Sequence, residues 1–163
     1  MEGCGWIRVS PTGRQALLSY ASCSRPGQAE LAVVDLQDAS RRELSFAKDA
    51  PSFQPFVYSP DGARAAYGLA LGRGNPAGRA ASGGIWLLDT LTLNTARLWQ
   101  DAGLESWAID WSPDGAMLLV ASVEAQGLCG YYVVDVTSGE ARQIIDATGC
   151  GANGTMVGFS ALP

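Results

Sequence analysis

A chain of 163 residues with 47% hydrophobic and 17% charged residues has the composition of one ordinary folded domain and not of a disordered segment. Its net charge of −5, without long runs of one sign, lacks the basic face that phosphate recognition needs, so nucleic acid is not expected among its partners. It has no histidine, which removes imidazole as base or metal ligand, and with it Ser-His-Asp and Cys-His catalysis and most catalytic zinc sites.

No apolar stretch approaches the ~20 residues that cross a bilayer, so membrane insertion is not expected. The opening Met1-Glu2-Gly3-Cys4-Gly5-Trp6 has neither a basic nor an apolar leader segment, so no export signal is expected in the chain as written.

From the N-terminus, Trp6-Ile7-Arg8-Val9 runs into the turn phrase Ser10-Pro11-Thr12-Gly13. Proline has no N–H for a ladder and glycine accepts positive φ, so the phrase predicts a tight reversal between strands. Strands are expected to begin at Trp6, Gln15, Leu31 and Arg41, the third closing on Leu31-Ala32-Val33-Val34-Asp35. The second unit repeats this with Phe56-Val57-Tyr58, Ser59-Pro60-Asp61-Gly62 and Ile85-Trp86-Leu87-Leu88-Asp89. Its strands are expected from Phe53, Arg64, Ile85 and Thr95. A long loop, Leu69 to Gly84, interrupts it and carries Arg73 and Arg79.

The third unit has Trp107 to Trp111, Ser112-Pro113-Asp114-Gly115, the apolar run Met117 to Ser122, Tyr131-Tyr132-Val133-Val134-Asp135, the turn Thr137-Ser138-Gly139-Glu140 and a more polar strand Ala141 to Ile145. After it, Thr155 to Ser160 reads as a first strand with no blade behind it.

The turn phrases start 49 and 53 residues apart. Such a period means a stacked or radial repeat in which no unit buries its apolar surface alone. The predicted fold class is all-β: three four-stranded antiparallel blades of a β-propeller plus an orphan first strand. The whole of residues 1–163 is expected to form one partial propeller, with blade 1 at about 4–47, blade 2 at about 52–100, blade 3 at about 104–147 and the orphan strand at about 154–160. Aromatic-Ser-Pro-Asp-Gly, an aliphatic strand, an aliphatic-aliphatic-Asp strand and Thr-Ser-Gly-Glu together resemble the TolB-like, WD-repeat-like propeller repeat. Similar blades occur in the propeller domains of prolyl-oligopeptidase-type peptidases. The resemblance implies a binding or scaffold role, often in protein complexes of the bacterial envelope.

Propellers close with four or more blades, so three leave two open edges, each a template for another chain. The ring is then either open or closed by oligomerisation: as a piece of a larger propeller, as a homodimer, or with blades from another polypeptide.

In a propeller of this kind all four cysteines fall at one face of the disc. Cys4–Cys23 and Cys129–Cys150 are the expected disulfides, one of three connectivities. Such bonds would suit an extracytoplasmic protein, periplasmic or secreted; four unpaired thiols are the alternative. Asp35, Asp89 and Asp135 are read as strand-ending turn formers and not as a carboxylate cluster.

No catalytic, cofactor or metal residues are expected. Trp6, Arg73, Arg79, Glu105 and Trp107 are the candidate contacts to a protein or peptide partner, and a non-catalytic interaction module is the leading function. A propeller fragment of a larger prolyl-oligopeptidase-type hydrolase, and a small-molecule or sugar binder using axial aromatics, are the alternatives.

Overall fold

A computed structural model of the chain describes residues 3–22, 29–44, 52–53, 56–70, 84–100, 105–123 and 128–149. Among these residues the regular structure is entirely β, in three antiparallel sheets. Blade 1 is β1 (Gly3–Val9), β2 (Gln15–Ser22), β3 (Ala29–Asp35) and β4 (Arg41–Leu44), paired in chain order. Blade 2 is β5 (Ser52–Phe53), β6 (Val57–Tyr58), β7 (Arg64–Ala70), β8 (Gly84–Asp89) and β9 (Thr95–Gln100). Blade 3 is β10 (Glu105–Trp111), β11 (Met117–Val123), β12 (Leu128–Asp135) and β13 (Ala141–Gly149). The orphan strand expected at 154–160 lies outside the described residues.

Two details depart from the simple strand reading. The first strand of blade 2, expected from Phe53, is described as two short pieces that both pair with β7, one residue out of register: Phe53 with Leu69, and Val57 with Ala66. In β10 the register shifts between Ala108 and Asp110, leaving Ile109 as a bulge residue. The bulge sets Trp107 opposite Ala121, the position that Trp6 holds opposite Ser19 in blade 1.

The three Ser-Pro-x-Gly turns are built alike. The glycine N–H donates to the serine carbonyl in each: Gly13 to Ser10 at 2.9 Å, Gly62 to Ser59 at 2.8 Å, Gly115 to Ser112 at 2.8 Å. Each glycine has φ near +70°, where a side chain would be strained. The serine hydroxyl then ties the turn to the next strand, accepting from Arg64 N–H and from Met117 N–H at 2.9 Å, and from Gln15 N–H at 3.2 Å.

Asp61 and Asp114 accept the hydroxyl of Ser59 and Ser112 at 2.6 Å. Those bonds, with the Ala63 and Ala116 N–H groups, hold both carboxyls below their ordinary value. Blade 1 has Thr12 at this place, bonded to Ser10 at 3.1 Å.

The strand-ending aspartates cap the following turns as expected. Asp89 accepts from Leu91 and Thr92 N–H, Asp135 from Thr137 and Ser138 N–H, and Asp35 from Gln37 N–H. One residue in each of these turns takes positive φ at the same place: Ala39, Leu93 and Gly139.

Identical turns put each blade in the same register, so side-chain alternation gives every blade two apolar faces. Leu17, Leu31 and Val33 of blade 1 pack with Phe56, Ala65, Tyr67 and Leu88 of blade 2. Ala66 and Ile85 of blade 2 pack with Ala108, Trp111, Leu118, Val120 and Val134 of blade 3.

Blades 2 and 3 approach most closely where β7 meets β10. A Cβ on Gly68 would lie 1.7 Å from the Ser106 carbonyl oxygen and 3.0 Å from Trp107 Cα, so no side chain fits without moving the strands apart. Gly68→Ala is therefore expected to lower stability by about 1–3 kcal/mol or more, read from the urea midpoint. Gly13→Ala, with positive φ but nothing within 4 Å, is the strain-only control and should lose only about 1 kcal/mol. Equal losses at the two positions would show that the blades do not meet at Gly68.

Candidate interaction surfaces

The face of a blade that looks toward the next blade is its front, and the opposite face its back. Equivalent positions follow from the pairings. Ile7 and Val9 on the back of blade 1 face Leu18 and Ala16 across β1–β2. Tyr58 of blade 2 stands opposite Ala65, and Ala108 and Trp111 of blade 3 stand opposite Val120 and Leu118, in the corresponding places.

At the two internal interfaces these backs are covered. Phe56 is 1% exposed, Ala108 6% and Trp111 4%. Phe56 and Tyr67 pack as a tilted pair with ring centroids 5.1 Å apart, as do Trp99 and Tyr132 across the junction of blades 2 and 3. Polar contacts cross the interfaces as well. Trp111 Nε1 donates to the Val57 carbonyl at 3.0 Å, and the Arg64 guanidinium lies 5.4 Å from the centroid of the Trp111 ring. Arg42, on the outer strand of blade 1, donates to the Thr90 carbonyl at 2.8 Å and to the Leu91 carbonyl in the β8–β9 turn of blade 2. Burial pushes the Tyr58 and Tyr67 hydroxyls up to about 12.

The two outer faces of the set have no neighbouring blade among the described residues. On the back of blade 1, Ile7 is 64% exposed and Val9 55%, although both occupy places that are covered in blades 2 and 3. Leu18 and Val34 beside them are half-buried. On the front of blade 3, Met117 is 37% exposed and Ile145 39%, with Trp107, Tyr131 and Val133 half-buried around Leu119 and Ala121. Apolar faces of this kind on a folded protein mark contact surfaces.

Of the candidate partner residues, Trp107 lies on this front face of blade 3. Trp6 and Glu105 have described backbone in β1 and β10, opposite Ser19 and Val123, while their side chains fall outside the described residues. Arg73 and Arg79 lie wholly outside them. Cys4 stands opposite Ala21, and Cys129 opposite Thr148; Cys23 and Cys150 lie outside the described residues.

The residues that sequence reasoning passed over are Ile7, Val9, Met117, Tyr131, Arg42 and Arg142. Aligning the three repeats position by position matches each of them to its counterparts, but which positions a neighbouring blade covers follows only from the pairing and packing.

No protein-family model matches the chain, and no curated protein matches it. Solved structures do. TolB from Acinetobacter baumannii superposes with a TM-score of 0.59 at 18% identity, over 85% of this chain and 32% of that one. The β-propeller domain of the Trilobed protease from Pyrococcus furiosus, which has an open velcro topology, gives 0.59 at 17%, over 86% and 42%. A prolyl endopeptidase gives 0.64 at 16%, over 88% and 22%. The chain is thus built as β-propeller blades, and it spans less than half the length of each of these proteins.

The cross-blade reach of Arg42 makes a direct check of the interface. Arg42→Met is expected to lower stability by about 1 kcal/mol by removing two charge-assisted bonds at an exposed rim. An unchanged denaturation midpoint would mean that those bonds do not hold blade 1 on blade 2.

Proposed function

We propose that the chain is a non-catalytic propeller module of the TolB-like, WD-repeat-like repeat, which binds a protein or peptide partner through the faces its terminal blades leave uncovered. One observation carries the reading: Ile7 and Val9 stand in solvent at places where Phe56, Ala108 and Trp111 are covered by a neighbouring blade. A sheet face of this shape fits another sheet or an extended segment, and the open strand edges beside it supply unpaired backbone groups. The absence of histidine and of a nucleophile–base pair in the sequence supports a role without chemistry.

A second reading has its own support. The chain covers only 22% of the prolyl endopeptidase it resembles in fold. The same blades would then be one part of a larger hydrolase whose further blades cover these faces and whose catalytic domain does the chemistry.

One experiment separates the two readings in the protein as its gene encodes it. A photo-crosslinking residue is placed at Ile7 or Tyr131, with exposed Thr12 as the control position. The module reading predicts adducts to a second polypeptide from both faces and none from Thr12. Adducts confined to the same polypeptide would sink it in favour of the hydrolase reading.

An extracytoplasmic setting, with disulfides Cys4–Cys23 and Cys129–Cys150, completes the proposal. Cys4 faces Ala21 and Cys129 faces Thr148, each facing residue two positions before the other cysteine in sequence. Thiol alkylation without and with reduction, followed by peptide mass analysis, is expected to show all four cysteines protected in these two pairs. Four thiols that alkylate without reduction would remove both the bonds and this argument for export.

A further inference from the structure

We infer that a second copy of this chain covers both open faces: the front of blade 3 in each copy packs on the back of blade 1 in the other, closing a two-fold ring of six blades. This rests on the reading of the chain as an interaction module and names its partner.

The two open faces differ from the internal ones in opposite and matching ways. At the internal interfaces the backs carry large rings: Phe56, Tyr58, Tyr67 and Trp86 in blade 2, and in blade 3 Trp111 and Tyr132 at the places of Tyr58 and Trp86. The fronts that meet them are aliphatic in their two middle strands: Leu17, Leu31 and Val33, then Ala66, Ile85 and Leu87. On the back of blade 1 the corresponding places hold Ile7, Val9, Leu18, Ala32 and Val34, without a ring among them. On the front of blade 3 the ring appears instead, as Tyr131 where the other fronts have Leu31 and Ile85. A bulky front and a slim back would suit one another in volume, as a slim front and a bulky back do inside the chain.

Pair positions agree as well. Where Arg64 lies over Trp111 at the junction of blades 2 and 3, the same two places at the closing junction hold Met117 and Val9, both apolar and both exposed.

Charge agrees too. Arg142 stands opposite Val133, the register place that Arg42 holds opposite Val33. Arg42 reaches the carbonyls of Thr90 and Leu91 in the turn of the next blade. The equivalent turn on blade 1 begins at Asp35 and carries Leu36, Gln37 and Asp38, so Arg142 would meet two backbone carbonyls flanked by two carboxylates. Hydrogen bonds from the Ser40 hydroxyl and from its N–H, the latter at 2.8 Å, favour the charged form of Asp38.

A front-to-back contact is heterologous, and such contacts end only when the rotation closes. Six blades lie within the range at which propellers close. The described blades also span 42% of the Trilobed protease propeller domain, a share that leaves room for about one more set of the same size.

Light scattering on the purified chain at micromolar concentration is expected to give twice 17.0 kDa. Ile7→Asp with Val9→Asp spoils only the back of blade 1, and Met117→Asp with Arg142→Glu only the front of blade 3. Each pair should leave the β circular dichroism and tryptophan emission unchanged and give the monomer mass. Mixing the two spoiled forms should restore a mass of twice 17.0 kDa through the one intact junction. Arg142→Glu alone, at an exposed side chain that cannot disturb the fold, should weaken the dimer at least ~10-fold.

A wild-type mass of 17.0 kDa overturns the inference, whatever then covers the faces. A dimer that survives the blade 3 substitutions, or a polydisperse wild type, overturns it equally. A monomer whose Ile7 still crosslinks to another polypeptide would leave the module reading standing and remove self-pairing alone.

Discussion

A four-stranded antiparallel blade with aliphatic residues on both faces is insoluble as a unit, because alternation along each strand sends apolar side chains to both sides of the sheet. In blade 2, Ala65 and Tyr67 point one way along β7 and Ala66 the other, and all three are buried, against blade 1 and blade 3 respectively. Every other feature of the molecule answers to this need for cover on two sides. It makes the blades stack, it gives two continuous cores instead of one, and it leaves the first and last faces of the set with apolar groups in solvent.

The turns make that stacking regular. Serine hydroxyl, aspartate carboxylate and left-handed glycine recur at matching places, and the bonds they form fix where the second strand starts against the first. A slip of one residue would exchange front for back along a whole strand. The Ile109 bulge shows how tightly this is held, since the extra residue is absorbed within β10 and both Trp107 and Trp111 keep their faces. The conserved geometry, not the identity of any one side chain, is what lets positions be compared between blades. The contrast between Ile7 and Phe56 has meaning only on that footing.

Contacts between blades add specificity to this burial. Trp111 bonds to the Val57 carbonyl, Arg64 lies over its ring, and Arg42 grips the β8–β9 turn. Gly68 permits an approach at the inner strands that no other residue could allow. These features operate between neighbouring blades, so the same logic applies wherever the set ends. The proposed contact of Tyr131, Met117 and Arg142 with the back of blade 1 would reuse the grip that Arg42 makes at the first junction.

The amino-acid sequence by itself determined the all-β class, the number of complete blades and most strand starts. Those depend on local chemistry: proline and glycine in a turn, aspartate at a strand end, and apolar runs of strand length. It did not reveal the one-residue register change in the first strand of blade 2, nor the bulge that brings Trp107 into line. Only the tertiary structure decided which alternate residues form a front and which a back, because parity along a strand is invisible until its pairing is known. Only the packing showed that Arg42 reaches a turn 48 residues away, and that Ile7 and Val9 lack the cover their counterparts have. Burial is a property of neighbours in space, and for a repeat those neighbours include whatever lies beyond its last blade.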